Sequence, residues 1–156
     1  SEMKFLALDV GQKRIGVATC DRLELTVRLH SVVPAGKESG KTIARLAEEE
    51  GVDALVVGLP LSMDGQERDA CQRVRVFIAG LQNQVALPLF TEDERLTTCI
   101  AQDRLIEAGI PRQKWRLMID AASAAEILDN FLAARRARGE RPEQMPEPRA
   151  PIPESM

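Results

Sequence analysis

Residues 4–20 read KFLALDVGQKRIGVATC, and the fold is decided here. Residues 4–10 form a continuous apolar run with an acid, Asp9, near its end, the pattern of a strand covered on both faces. Residues 11–14 are a short polar turn. Residues 15–20 then supply a second strand, close enough to pair antiparallel with the first. Residues 26–33 are rich in β-branched side chains but alternate less cleanly, and they make a third strand.

Outward from this meander the chain alternates helix and strand. Ile43, Ala44, Leu46 and Ala47 give residues 41–50 a helical stripe, which Gly51 ends. Residues 53–59 (DALVVGL) read as a buried strand and 60–66 as a loop. Residues 67–82 suit a helix with Ala70, Val74, Phe77, Ile78 and Leu81 on one side. A fifth strand over 85–90 contains Pro88, which places it at a sheet edge. Residues 97–108 form a helix stopped by Gly109 and Pro111, and 120–138 the last helix, with Ala124, Ile127, Leu128 and Phe131 inward. The order βββαβαβαα predicts an α/β protein. Its mixed five-stranded sheet has three antiparallel strands first and helices on its faces.

A chain of 156 residues fits one domain, assigned to residues 1–138. Residues 139–156 separate from it. They hold five of the nine prolines and little apolar content, so a disordered Pro/Glu-rich tail is expected. Glu140, Glu143, Glu147 and Glu154 against Arg141 and Arg149 give that tail a net charge of −2, leaving −1 for the body. A nearly neutral body still has room for a basic rim around an acidic pocket. No run approaches the ~20 apolar residues of a membrane span, and a secretory leader pattern is missing. Cys20, Cys71 and Cys99 are scattered and form no C-x-x-C, so a reducing cytoplasm is expected. The single histidine, His30, argues against zinc enzymes and against mechanisms needing two imidazoles. With no Tyr and 3% aromatic residues, an aromatic platform for base stacking is not expected.

Four segments carry polar groups suited to chemistry. Asp9 ends the most hydrophobic strand, where open α/β sheets place their ligands, although an Asp before Gly11 can also simply cap a turn. Glu92-Asp93-Glu94-Arg95 follows the fifth strand, and a solvated charge cluster is its ordinary reading. Asp120 opens the last helix, where an N-cap is the commonest use of Asp. GLPLSMDG, residues 58–65, reads as a strand running into a turn. Strand ends and helix starts of one sheet can bring Asp9, Glu94 and Asp120 together. A pair of carboxylates ~4 Å apart repels by ~4 kcal/mol at an effective dielectric near 20. A divalent cation relieves that repulsion, and oxygen-only ligands select Mg²⁺ or Mn²⁺ over Zn²⁺. Two such ions ~3.5–4 Å apart suit phosphodiester hydrolysis. Residues 35–42, AGKESGKT, imitate a P-loop. However, Ala35 stands where Gly is required, and the next strand, ending VVGLP, lacks the expected acid.

These segments together resemble the YqgF (RuvX) family of the ribonuclease H-like superfamily. The resemblance rests on LALDVGQKRIGVA, VVGLPLSMDG, DERLTT at residues 93–98 and IDAASAAEIL at 119–128. It implies a ribonuclease H-like sheet and a metal-dependent nuclease acting on structured nucleic acid. The family is associated with trimming the 5′ end of precursor 16S rRNA and with resolving Holliday junctions. Carried over to this sequence, it makes Asp9, Glu94 and Asp120 the catalytic, metal-holding acids, with Mg²⁺ or Mn²⁺ as cofactor. Gln12 departs mildly from the family pattern, where a small hydroxyl residue is frequent. A non-catalytic nucleic-acid-binding module of the same fold is the rival reading, disfavoured because all three acids are present. Lys13, Arg14 and Arg95, then Arg112, Lys114 and Arg116, are the expected phosphate-binding rim. Structured RNA is the expected partner, with branched or single-stranded DNA as alternatives; no membrane is expected, and the chain would act as a monomer or homodimer.

Overall fold

The computed structural model describes residues 3–23, 26–94 and 101–139. Its sheet has the order β3-β2-β1-β4-β5, built from β1 (Phe5–Val10), β2 (Arg14–Cys20), β3 (Val27–Pro34), β4 (Ala54–Leu59) and β5 (Leu89–Asp93). The first three strands are antiparallel, whereas β4 and β5 run parallel to β1, so the mixed sheet expected from the sequence is present. The pairing of β2 with β3 slips between Val17 and Ala18, where Ser31 faces Val17 but Leu29 faces Ala18. His30 is the extra residue of this bulge, which explains the imperfect alternation of the third strand.

Two helices, α1 (Ser39–Glu50) and α2 (Asp69–Gln82), cover one face. Ile43 and Ala47 of α1 and Cys71, Val74, Ile78 and Leu81 of α2 pack there on Leu6, Leu8, Ile15, Val17, Leu55 and Val57. The other face receives α4 (Trp115–Ala137), with α3 (Ala101–Glu107) packed against it. Ile127, Leu128, Phe131 and Leu132 meet Phe5, Ala7, Ala54 and Val56, while Ala124 and Ala125 lie on Ala18. The rings of Phe5 and Phe131 meet edge-on at 5.2 Å, and the buried Arg135 guanidinium lies 5.1 Å above Phe5.

Two elements start four or more residues away from the sequence expectation, while the expected start of the third helix at residue 97 lies outside the described residues. The fifth strand begins at Leu89, not at residue 85, because residues 84 and 85 still turn, their N–H groups donating to the Leu81 carbonyl. Pro88, which cannot donate to the ladder, stands just ahead of the strand and accepts from the Leu55 N–H. Its edge position is as expected, and the shift carries the strand forward to the threshold of Glu94. The last helix begins at Trp115 instead of Asp120, after a 3₁₀ turn over Arg112–Lys114. Asp120 is therefore an interior residue of α4 and caps nothing. Of the expected tail, residues 139–156, all but Gly139 lie outside the described residues.

Candidate active site

The C-terminal end of β1 gathers the acids. Asp9 pairs in register with Gly16 of β2 and alternates onto the face that carries Phe5 and Ala7, beneath α4. Gly16 has to be glycine: a Cβ there would overlap the carbonyl oxygen of Asp120 and the amide of Ala121. The backbone of α4 thus rests directly on β2, and this seat fixes Asp120 above the strand end. Gly58 does the equivalent for Glu94. A Cβ at Gly58 would collide with the Glu94 carboxylate and the end of Ile127, so the bare strand leaves room for that acid. A glycine inside a strand signals close approach of another group, and that signal was present in both motifs.

Asp9 and Glu94 share a hydrogen bond. Burial is the main cause that pushes Glu94 up to about 8, with the neighbouring charges of Asp9 and Asp93 adding to it. Burial also raises Asp9, as does the charge of Asp120, against a lowering by the hydrogen bond to Glu94. The pair holds a proton where two ordinary carboxylates would be ionised. Asp120 is engaged separately, accepting a 2.8 Å bond from Arg14 Nε. A proton on the Asp9–Glu94 pair and a guanidinium on Asp120 thus stand where cationic charge is needed. Among the described residues no three His, Cys, Asp or Glu side chains form a ready-made metal cage. The donor set itself fits a hard divalent cation, because two carboxylates close enough to share a proton can share an ion.

Of the expected rim, Arg14 is at the acids, and Lys13 is exposed beside it on the β1–β2 turn. Arg112, Lys114 and Arg116 are exposed at and just after the 3₁₀ turn, with Arg112 stacked 4.9 Å over the Trp115 ring. Arg116 lies one helical turn before Asp120, on the same side of α4. Arg95 lies outside the described residues. The P-loop imitation makes no phosphate cradle: the Ser39 N–H and hydroxyl both bond the Gly36 carbonyl, at 3.2 and 2.7 Å. Lys41 pairs at the surface with Glu38 at 3.8 Å. A partly buried cluster not foreseen from the sequence pins α3 to α4, where Arg104 meets the buried Glu126 at 3.6 Å and also Asp129.

Sheet order, crossing helix and acid-bearing strand end define the ribonuclease H-like class. Two solved structures share this architecture. T. thermophilus RuvC in complex with Holliday junction substrate superposes with a TM-score of 0.57 at 14% identity, over 86% of this chain and 96% of that one. The fowlpox virus Holliday junction resolvase gives 0.56 at 13%, over 85% and 99%. Within that class, residues 3–134 match the family model described as "RuvX: Holliday junction resolvase", and the chain belongs to this family. Relatives from Syntrophus aciditrophicus and Geobacillus kaustophilus, each named "Putative pre-16S rRNA nuclease", are both 37% identical to it. The matches span 85% of this chain and 89% of the first relative, and 86% of this chain and 100% of the second.

Proposed function

We propose that this chain is a divalent-metal-dependent nuclease that hydrolyses phosphodiester bonds at the 5′ end of precursor 16S rRNA. One observation carries the reading: Asp9 and Glu94, half-buried and hydrogen-bonded where β1 and β5 end, with Asp120 facing them from α4. Gathering three half-buried acids is unfavourable for folding, and it becomes useful only when a cation completes the group. Asp9 and Glu94 would hold Mg²⁺ or Mn²⁺, with Asp120 completing the set. A cation held there supplies Lewis-acid stabilisation of the phosphate and eases ionisation of water. The remaining work falls to the chain. Arg14 turns from Asp120 to a phosphate oxygen, Lys13 adds charge beside it, and the exposed cations before α4 hold the flanking backbone. Substrate preference for RNA is supported by the names of the relatives. The family description supports a second reading, cleavage of branched DNA. We assign the activity to residues 1–138 and place the protein in the cytoplasm, in keeping with the buried thiols of Cys20 and Cys71, neither of which forms a disulfide. Among the described residues no helix is long and apolar enough to cross a membrane.

The test offers purified protein labelled precursor rRNA, linear single strands and a four-way DNA junction, each with Mg²⁺, Mn²⁺ or chelator. Metal-dependent cutting of the rRNA precursor is expected. Cutting of the junction alone moves the assignment to branched DNA, and cutting that survives chelation overturns the metal reading.

A further inference from the structure

A second concavity lies next to the acids on the opposite face of the sheet. Asp9 faces α4, but the following residue, Val10, alternates onto the face of α1 and α2. Val10 borders a cavity of about 380 Å³ whose apolar wall includes Ile15 of β2 and Val74 and Phe77 of α2. That volume falls in the ~300–1,000 Å³ range of small-ligand pockets. Exposed Gln12 and Arg73 stand around it, and Glu94 contributes to its wall. One residue, Glu94, therefore belongs to both the acid cluster and this cavity. Neighbouring residues on a strand are only ~3.3 Å apart along it, so the two sites adjoin across the end of β1.

The geometry points to a pocket for one unpaired nucleobase of the substrate, beside the phosphodiester that is cleaved. This rests on the nuclease reading of the acids. The chemistry selects a neutral flat heterocycle. The Phe77 ring and the branched side chains offer an apolar surface on which a base can lie. Ser39 and Gly36 also border the cavity, but the Ser39 donors are already given to the Gly36 carbonyl, so a triphosphate finds no cradle. At the rim the Gln12 amide can donate to or accept from a base edge. Arg73 forms no ion pair among the described residues and is placed to meet the phosphate of the same nucleotide. Stacking on one Phe does not need the multi-ring platform that the composition argues against.

The experiment uses single-stranded RNA oligonucleotides carrying a fluorescent adenine analogue at successive positions, titrated with the whole chain in chelator so that nothing is cut. At one position the analogue's emission should change on binding. Ala70→Trp, which fills the cavity from the half-buried flank of α2, should abolish that change and weaken single-strand binding about tenfold. Blunt duplex, with no base to extrude, should bind the variant as before. Phe77→Leu should lower single-strand affinity in the same direction, and Arg73→Ala should reduce the salt slope by about 0.7. The proposal is overturned if no position responds, or if the response survives in folded Ala70→Trp. Should that variant unfold, unchanged affinity in Phe77→Leu overturns it equally. Cleavage with Mn²⁺ is measured separately. A response without cleavage overturns the nuclease reading and leaves the base site standing; cleavage without a response does the reverse.

Discussion

The two faces of the sheet are held by different means. Under α1 and α2 the contacts are between branched aliphatic side chains: Leu6, Leu8, Ile15 and Val57 against Ile43, Val74 and Ile78. Under the first half of α4 they are between small residues and backbone, with Gly16 beneath Asp120 and Ala18 beneath Ala124 and Ala125. Side chains of varied shape leave gaps, and the cavity beside Val10 is one. Glycine and alanine bring the helix backbone directly onto the strand, so the helix has a single seat and its acid a single position. The face that tolerates adjustment lies beside the acids, and the face that does not carries Asp120.

The sharpest way to break this contrast is Gly16→Val. The new side chain meets the backbone of Asp120 and Ala121, which cannot rotate away, so α4 has to lift. A loss above the ~1–3 kcal/mol usual for overpacking is expected in urea unfolding, together with loss of activity. Ile43→Val on the opposite face should cost only ~0.5–1.5 kcal/mol and leave activity near normal. Equal losses for the two variants would show that the faces are not different in kind.

Asp9→Asn tests the site without disturbing the seat. Cleavage should fall to background while the melting profile stays native or improves, since the substitution removes a carboxylate that burial already disfavours in its charged form. A fully active, nuclease-free preparation of this variant would overturn the assignment of Asp9.

The same pair sets a pH dependence. The folded protein holds the Glu94 proton up to about 8, whereas the unfolded chain releases it near its ordinary 4.5. Between those values the native state binds more protons than the unfolded state, so stability falls as pH rises through that window. Thermal melting of metal-free protein should therefore decline from pH 5 to 8, and Glu94→Gln should flatten that decline. Added Mn²⁺ should restore stability at the alkaline end. A melting temperature that climbs over the same range in a chelator would contradict the shared proton.

The order of the elements and the mixed sheet were legible because buried strands leave local signatures, and so do acids at strand ends. Asp9 ends an apolar run, and Glu94 follows β5 directly. The true start of α4 was not legible. Trp115, Leu117, Met118 and Ile119 give no clear stripe, Leu117 being largely exposed, and an Asp in that neighbourhood imitates an N-cap. Gly16 and Gly58 were visible as letters, but what makes each necessary is an atom more than thirty residues away. The cavity is likewise a product of tertiary packing, for its walls come from β1, β2 and α2 and no single segment announces it.

The smallest expected effect belongs to the cationic approach to α4. Arg112, Lys114 and Arg116 are exposed, and no ion pair holds them among the described residues. Arg116 points the same way as Asp120 one turn further on, so a phosphate backbone leading to the acids would pass these three side chains. Each phosphate contact contributes about 0.9 to the slope of log affinity against log salt on duplex, or about 0.7 on a single strand. Replacing all three by Ala should then flatten the slope by roughly two to three units and weaken binding alike for all sequences. The fold should survive, because Trp115 keeps its 2.9 Å bond from Nε1 to the Ile110 carbonyl when Arg112 is removed from its ring. A flattening of about one unit would mean that a single side chain, with Arg116 the best placed, touches phosphate. An unchanged slope would move the nucleic-acid path away from this turn and toward Lys13 and Arg14 at the other side of the acids.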